Sequence, residues 1–418
     1  MNFKRINLNS ITKLSIKIFI FLIVFLPSGT IGGLNIKILS MAMLIACMLI
    51  SILSIGRLNK KSLLLIATFA ISLIFVIINY ITATNSSISK GYATAEGMLF
   101  ITYFLSAAIL LIAITENIIP KNSVIKTIVY SCVFYSTIKI IITAMSVVGL
   151  LSIYVVSDFI YQSYGIKPML FPITDTFSRF QLANDYIVCF ALFFMICKYD
   201  SFDFIGNKLK LILTYILIIS VLISFSRYMI LLLFIGLAIR VYSIRKVSLN
   251  GILSVLVILS IVIFGYLSNM ESINEAISLR FSSDANDVSD QTRSIQIDCL
   301  YKAFENRPLL GYGGLGDYSR QCPGPRDAEF SYEVQYLGFL FRFGFLQTIF
   351  IALLYFSQFS IAKSGTFVKK GNIPSLIAFL CWMMIGFFNP YLVSGYASVI
   401  MVLCVCLTGK KETESDIA

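Results

Sequence analysis

Several charged residues stand where an otherwise apolar chain should not hold charge. Arg227 sits in Ser224-Phe-Ser-Arg-Tyr228, between two apolar runs joined too closely for a loop, which places it at a membrane face. Arg342 lies inside Tyr336-Leu-Gly-Phe-Leu-Phe-Arg-Phe-Gly344, several residues into a span, and Glu329 and Glu333 stand at the start of that span. Arg179 and Asp185 flank Phe-Gln-Leu-Ala-Asn184, where another span begins, and Lys139 lies within a fifth apolar run. Ionisable groups in or beside spans are expensive and by default mark function. Arginine suits phosphate, because its planar fork donates two parallel hydrogen bonds and keeps its charge. A carboxylate in a partly dry site can act as a general base. Any one arginine alone reads as snorkelling or as a structural ion pair. As a set, the residues read as a site that holds a polyanion at one membrane face.

A second constellation is Arg307-Pro-Leu-Leu-Gly-Tyr-Gly-Gly-Leu-Gly-Asp-Tyr318, in which Gly311, Gly313 and Gly316 have the G-x-G-x-x-G spacing of a dinucleotide-binding turn. That fingerprint needs a strand before it, a helix after it and a cytosolic setting. Here a helical pattern and Pro308 come before, and the turn-rich Ser319-Arg-Gln-Cys-Pro-Gly-Pro-Arg326 comes after. The match is accidental as a nucleotide motif. The glycines read as a tight structural turn, with anion binding by backbone N–H groups as the functional alternative at Gly311 and Gly313.

The elements that must position these groups are helices in a membrane. The chain is 58% hydrophobic and 13% charged, about half the charge of a soluble domain. Apolar runs recur at Ile16–Leu26, Ile36–Ile55, Ser62–Ala83, Gly97–Thr115, Val124–Leu151, Tyr186–Cys197, Leu209–Ser224, Met229–Val241, Ile252–Leu267, Val334–Phe356, Ser375–Phe388 and Leu392–Leu407. They predict an all-α integral membrane protein of about twelve spans, at roughly twenty residues each. The first run lacks a small-residue cleavage site and reads as a retained span. No solenoid-length repeat is visible.

The net charge of +12 is distributed in alternate connections, at the N-terminus, Arg57-Lys60-Lys61, Lys121-Lys126, Lys198-Lys208-Lys210, Arg240-Arg245-Lys246, Lys363-Lys369-Lys370 and Lys410-Lys411. That is the positive-inside pattern, which puts both termini in the cytoplasm and excludes a nucleic-acid surface. One polytopic domain over residues 1–418 results, with a large outward loop inserted over 268–333. In this loop Ser289 or Asp290 can cap a helix ending near Asn306, with Ile297, Leu300, Tyr301 and Phe304 on one apolar face and Arg293 one turn earlier on it. Cys299 and Cys322 flank the glycine stretch in the same loop and either pair or stay as two thiols. The chain has no histidine, so histidine metal sites, Ser-His triads and histidine bases are excluded.

Arg293 followed by a helix and then Pro308-Leu-Leu-Gly311-Tyr-Gly313 resembles the O-antigen ligase and O-antigen polymerase superfamily, in which an arginine and an amphipathic helix precede such a turn in a large periplasmic loop. Ser226-Arg227 resembles the family's "SR" at the outer end of a span, and Arg179 to Asn184 resembles its Arg/Asn segment more faintly. The resemblance covers the C-terminal half. It implies a GT-C-like, metal-independent, inverting glycosyltransferase of the bacterial inner membrane that needs no cofactor. The donor would be an oligosaccharide on undecaprenyl (polyprenyl) pyrophosphate, and a chain-length regulator membrane protein would be its partner. In these terms Arg227 and Arg293 with Glu333 are the catalytic candidates. Arg179, Arg342, Glu329, Gly311 and Gly313 are the substrate-binding candidates.

Ligases of the family carry a His-Asn pair about ten residues before the glycine of the span after the loop. Counting back from Gly344 reaches Glu333 instead. The resemblance therefore implies a polymerase, with a ligase as the nearer alternative. A lipid-linked oligosaccharide flippase is the alternative of another class. Its charges would line a central cavity, and it would have little need of the long loop.

Overall fold

The computed structural model describes residues 8–28, 30–31, 34–84, 88–172, 177–243, 283–322, 324, 328–363 and 372–408. The ninth expected span, Ile252–Leu267, and the opening of the large loop lie outside them. The described chain is helical apart from two short hairpins. In order come α1 (Leu8–Phe25), strands β1 (Thr30–Ile31) and β2 (Leu34–Asn35), α2 (Ile36–Ile55), α3 (Lys60–Thr84), α4 (Lys90–Thr115) and α5 (Lys121–Val147). Then follow α6 (Ile153–Tyr164), β3 (Met169–Pro172), β4 (Ser178–Gln181), α7 (Asn184–Cys197), α8 (Asn207–Ile223) and α9 (Arg227–Ser243). The last are α10 (Ser283–Asn306), α11 (Gln335–Ala362), α12 (Ile373–Met384) and α13 (Gly395–Cys406).

Five described helices, α2, α3, α4, α5 and α11, are long and apolar enough to cross a membrane. The protein is an all-α, multi-pass membrane protein. Helix α7 has 14 residues and α13 has 12, short against a hydrocarbon layer of about 30 Å at 1.5 Å rise per residue. Every residue of α7, and of α13 from Ala397, is buried. A helix apolar all round belongs inside a bundle, and protein rather than lipid surrounds these two. Helix α7 packs on α5, α8, α9, α12 and α13, while α4 packs on α3 and α13.

The polar contacts sort the helix ends. Lys61 Nζ donates to the Lys363 carbonyl, the Asn59 N–H to Glu116, and Arg240 to Asp200. That end carries the basic connections. The other end carries the starts of α4, α7, α9 and α11, the ends of α5 and α8, both hairpins and α10.

Two boundaries differ from the sequence expectation. Helix α4 begins at Lys90, not Gly97, so Glu96 falls inside it and is buried. Helix α10 begins at Ser283, ahead of the expected cap at Ser289 or Asp290, ends at Asn306 as expected, and turns a different face inward. Leu300 and Gln296 are buried, while Ile297 and Tyr301 are 46% and 51% exposed. The side chain that the glutamate beside α11 grips is Arg293, and the covalent tether is at Cys299, so the face through 293, 296 and 300 turns toward the loop.

Candidate active site

The site is built on the short connection before α11. Arg293 Nε lies 2.9 Å from Glu333 Oε2, with side chains 24% and 36% exposed. One turn along α10, Gln296 Oε1 accepts the Glu333 N–H at 3.0 Å. A disulfide joins Cys299 to Cys322, and Leu300 packs with Tyr332, Val334 and Phe341 in a small cluster of its own. Helix α10 is thus fixed by a covalent bond, a backbone bond and an apolar patch. The Arg293–Glu333 pair is partly exposed, with its two contacting atoms covered, and these other bonds hold α10 beside it. Glu329 sits nearby and hydrogen-bonds the Tyr318 hydroxyl, which with burial raises that phenol above its usual range.

Beneath this lies the glycine turn, and its geometry is that of packing. Helix α11 kinks at Gly344, where φ is 67°, and the turn is sewn into the kink. The Tyr312 N–H donates to the Phe341 carbonyl at 3.0 Å, the Gly313 and Gly314 N–H groups to the Arg342 carbonyl at 3.3 and 3.4 Å, and the Phe345 N–H to the Pro308 carbonyl at 2.8 Å. A Cβ on Gly311 would sit 2.4 Å from the Arg342 carbonyl oxygen, and one on Gly344 2.4 Å from that of Leu309. Gly316, at φ 75°, has the same relation to α4, with 2.4 Å to the Ala93 nitrogen. Only glycine tolerates both the left-handed φ and the approach. The N–H groups of Gly311, Gly313, Gly314 and Gly316 are all spent on the protein. Anion binding at Gly311 and Gly313 is thereby corrected to the structural turn.

Arg342 is corrected as well. It is 3% exposed and pairs with Glu96 at 2.9 Å, donates to the Phe330 carbonyl at 2.6 Å, and lies over the Phe339 and Phe343 rings. The second oxygen of Glu96 accepts the Gly316 N–H at 2.6 Å. Arg342 therefore offers no face to a substrate. It and Glu96 latch the loop to α4 and α11. Removing one partner of such a buried pair costs about 3–5 kcal/mol, because the other is left charged and alone.

A second charged group surrounds the starts of α7 and α9. Lys139, buried in α5, pairs with Asp185 at 2.8 Å and donates to Ser224 Oγ at 2.6 Å. This clamp joins the ends of α5 and α8 to the start of α7. Asp185 also accepts the Leu182 N–H at 3.0 Å. Arg179, on β4, donates to Gln181 Oε1. After Phe225, whose φ of 44° is unusual for a residue with a side chain, Arg227 opens α9 and is exposed. A residue held in this region is a strain that clusters at functional sites.

Burial raises the phenol of Tyr391, in the connection after α12, with smaller contributions from Glu333 and Asp185, which raise it, and from Arg179, which lowers it. The structure thus pairs Arg293 with Glu333, holds Arg179 on Gln181, and leaves Arg227 exposed at the start of α9. It sets Arg342, Gly311 and Gly313 below as scaffold. Sequence reasoning missed Glu96 because the apolar run was started one residue after it. It noted Lys139 and Asp185 without pairing them, and it passed over Tyr391.

Residues 212–352 match the family model described as O-antigen ligase. That segment is similar to the O-antigen ligase and polymerase superfamily, whose members are membrane enzymes of the glycosyltransferase kind. The matched segment holds Arg227, Arg293, the glycine turn, Glu329, Glu333 and Arg342, but not Arg179, Glu96 or Tyr391. No curated protein matches the chain.

Proposed function

We propose that this protein belongs to the O-antigen ligase and polymerase superfamily and is an O-antigen polymerase that joins oligosaccharide repeat units carried on polyprenyl pyrophosphate. The observation that carries the reading is the Arg293–Glu333 pair, half-exposed and held in place by bonds that do not depend on it. In this reading the end bearing that pair faces outward. The basic connections lie at the opposite end, as the positive-inside pattern requires, and the disulfide suits an oxidising compartment.

The acceptor sugar hydroxyl attacks the anomeric carbon of the donor. A new C–O bond forms, the anomeric carbon–pyrophosphate bond breaks with inversion, and its electron pair leaves on polyprenyl pyrophosphate. The hydroxyl proton passes to the Glu333 carboxylate. Arginines already in place stabilise the charge that develops on the leaving group, which avoids reorganisation during the reaction. Arg293 neutralises Glu333 in the resting site. When pyrophosphate enters, Arg293 turns to it and frees the carboxylate to act as base, so binding and base activation are linked. Arg227 and Arg179 supply further positive charge. The polyprenyl tail has an apolar groove to lie in, lined by Tyr336, Phe339, Leu340, Ile349, Tyr355 and Met383 between α11 and α12. The groove begins one turn below Glu333.

The polymerase rather than the ligase is favoured because a glutamate stands near the ligase's histidine position and the chain contains no histidine. Arg227→Ala or Arg293→Ala is expected to abolish chain extension while the protein stays in the membrane. Surface polysaccharide of wild-type length in either mutant would remove that arginine from the reaction.

A further inference from the structure

Tyr391 stands between the starts of α7 and α11. Its neighbour Leu392 donates its N–H to Gln335 Oε1 at 3.0 Å, two residues after Glu333, and accepts from the Tyr355 hydroxyl at 3.3 Å. On the other side the Tyr391 ring packs on Tyr186, with centroids 5.1 Å apart, and Tyr186 packs on Tyr228 at 5.9 Å. Tyr228 is itself anchored, its hydroxyl donating to the Cys381 carbonyl at 2.6 Å. Tyr186 is buried and Tyr391 is half-buried. The result is a row of three packed rings whose last member, partly exposed Tyr391, lies between Tyr186, next to Asp185, and Gln335, two residues from Glu333.

A tyrosine at a membrane surface commonly serves as an interfacial anchor. Tyr391 is placed differently, because its ring is fixed on Tyr186 at the start of α7 and its neighbour Leu392 is bonded to Gln335 at the start of α11, two residues from Glu333. An aromatic face carries negative charge density, and the C–H groups on one face of a pyranose ring are its natural partner. The charged groups on either side are the partners for sugar hydroxyls.

We propose that Tyr391, backed by Tyr186, forms a sugar-binding subsite that seats a pyranose ring of the repeat unit beside Glu333. This subsite deepens the polymerase reading and rests on it. A hydroxyl held over Tyr391 lies where Glu333 takes its proton, so the ring sets which sugar face is presented for attack.

The test uses the full-length protein in lipid nanodiscs and lipid-linked oligosaccharide extracted from cells that lack it. In Tyr391→Leu the KM for that lipid is expected to rise on the order of ten-fold, as loss of one aromatic contact implies, with a smaller change in kcat. Tyr391→Phe keeps the ring and is expected to raise KM less. An interfacial anchor would leave KM alone. Equal KM for the Leu and Phe variants, or wild-type KM in Tyr391→Leu, overturns the subsite. Should Tyr391→Leu not accumulate, Tyr391→Met, which is pliable enough to fill the space, carries the same comparison. If the wild-type protein extends no chain, the polymerase reading fails. The subsite is then decided by saturation-transfer NMR with the delipidated oligosaccharide. A signal in wild type that Tyr391→Leu loses supports it, and no signal in wild type overturns it.

Discussion

Glu333→Gln is expected to lower chain extension by about a hundred-fold to ten-thousand-fold, the range over which a positioned general base contributes. The amide keeps the shape of the carboxylate and can still meet Arg293, which lies 2.9 Å away in the native pair. The backbone bond from the Glu333 N–H to Gln296 is untouched, as is the Cys299–Cys322 bridge. What is lost is the ability to take a proton. The measurement is polymer formed per minute from lipid-linked repeat units by the purified protein, with a thermal melt as control. The melt should move little, because the amide can still accept from Arg293 and the bonds that hold α10 are unchanged. A rate within about threefold of wild type, small against the effect of a general base, would move the base elsewhere, with Glu329 the next carboxylate to examine.

Gly344→Ala is expected to act on the fold rather than on the chemistry. At φ 67° and ψ −178° the residue occupies a region that side chains avoid. Its added Cβ would meet the Leu309 carbonyl oxygen at 2.4 Å and the Gly311 nitrogen at 2.5 Å. Both are backbone atoms held by the bonds that sew the turn to α11, so neither can swing aside. The cost is expected to exceed about 4 kcal/mol, the range reached when strain at a special backbone position adds to overpacking. Fluorescence-detected size exclusion of the detergent extract should show little or no monodisperse protein. A variant that melts with wild type would mean that the turn and the kink are not joined as described. The paired arrangement also explains why glycines recur at 311 and 344, more than thirty residues apart in the chain.

The helices were legible because apolar runs at spanning length leave few alternatives, and the end of α10 was set by Pro308. The glycine turn was legible as structure from its flanks alone. Its partners were not, since the contacts that demand glycine come from α4, α3 and the kink of α11, all distant in sequence. The facing of α10 failed for a related reason. Periodicity identified Ile297, Leu300, Tyr301 and Phe304 as one stripe, but a disulfide at Cys299 and a partner for Arg293 outweighed two apolar side chains in setting the rotation. Arg342 was correctly found as anomalous and wrongly aimed. An arginine inside a span needs a partner, and Glu96 supplies it from a helix whose start the sequence had placed too late. Tyr391 carried no signal of its own among 22 tyrosines. Only the folded chain packs it on Tyr186 and brings its neighbour Leu392 to Gln335, two residues from Glu333.

The most direct measurement is the glycolipid ladder of cells from which this gene has been deleted, resolved on a gel. A lipid core bearing a single repeat unit is the expected result, because attachment to the core still proceeds while extension does not. A bare core, with polymer accumulating on the lipid carrier, would contradict a polymerase and assign the protein to the attachment step instead.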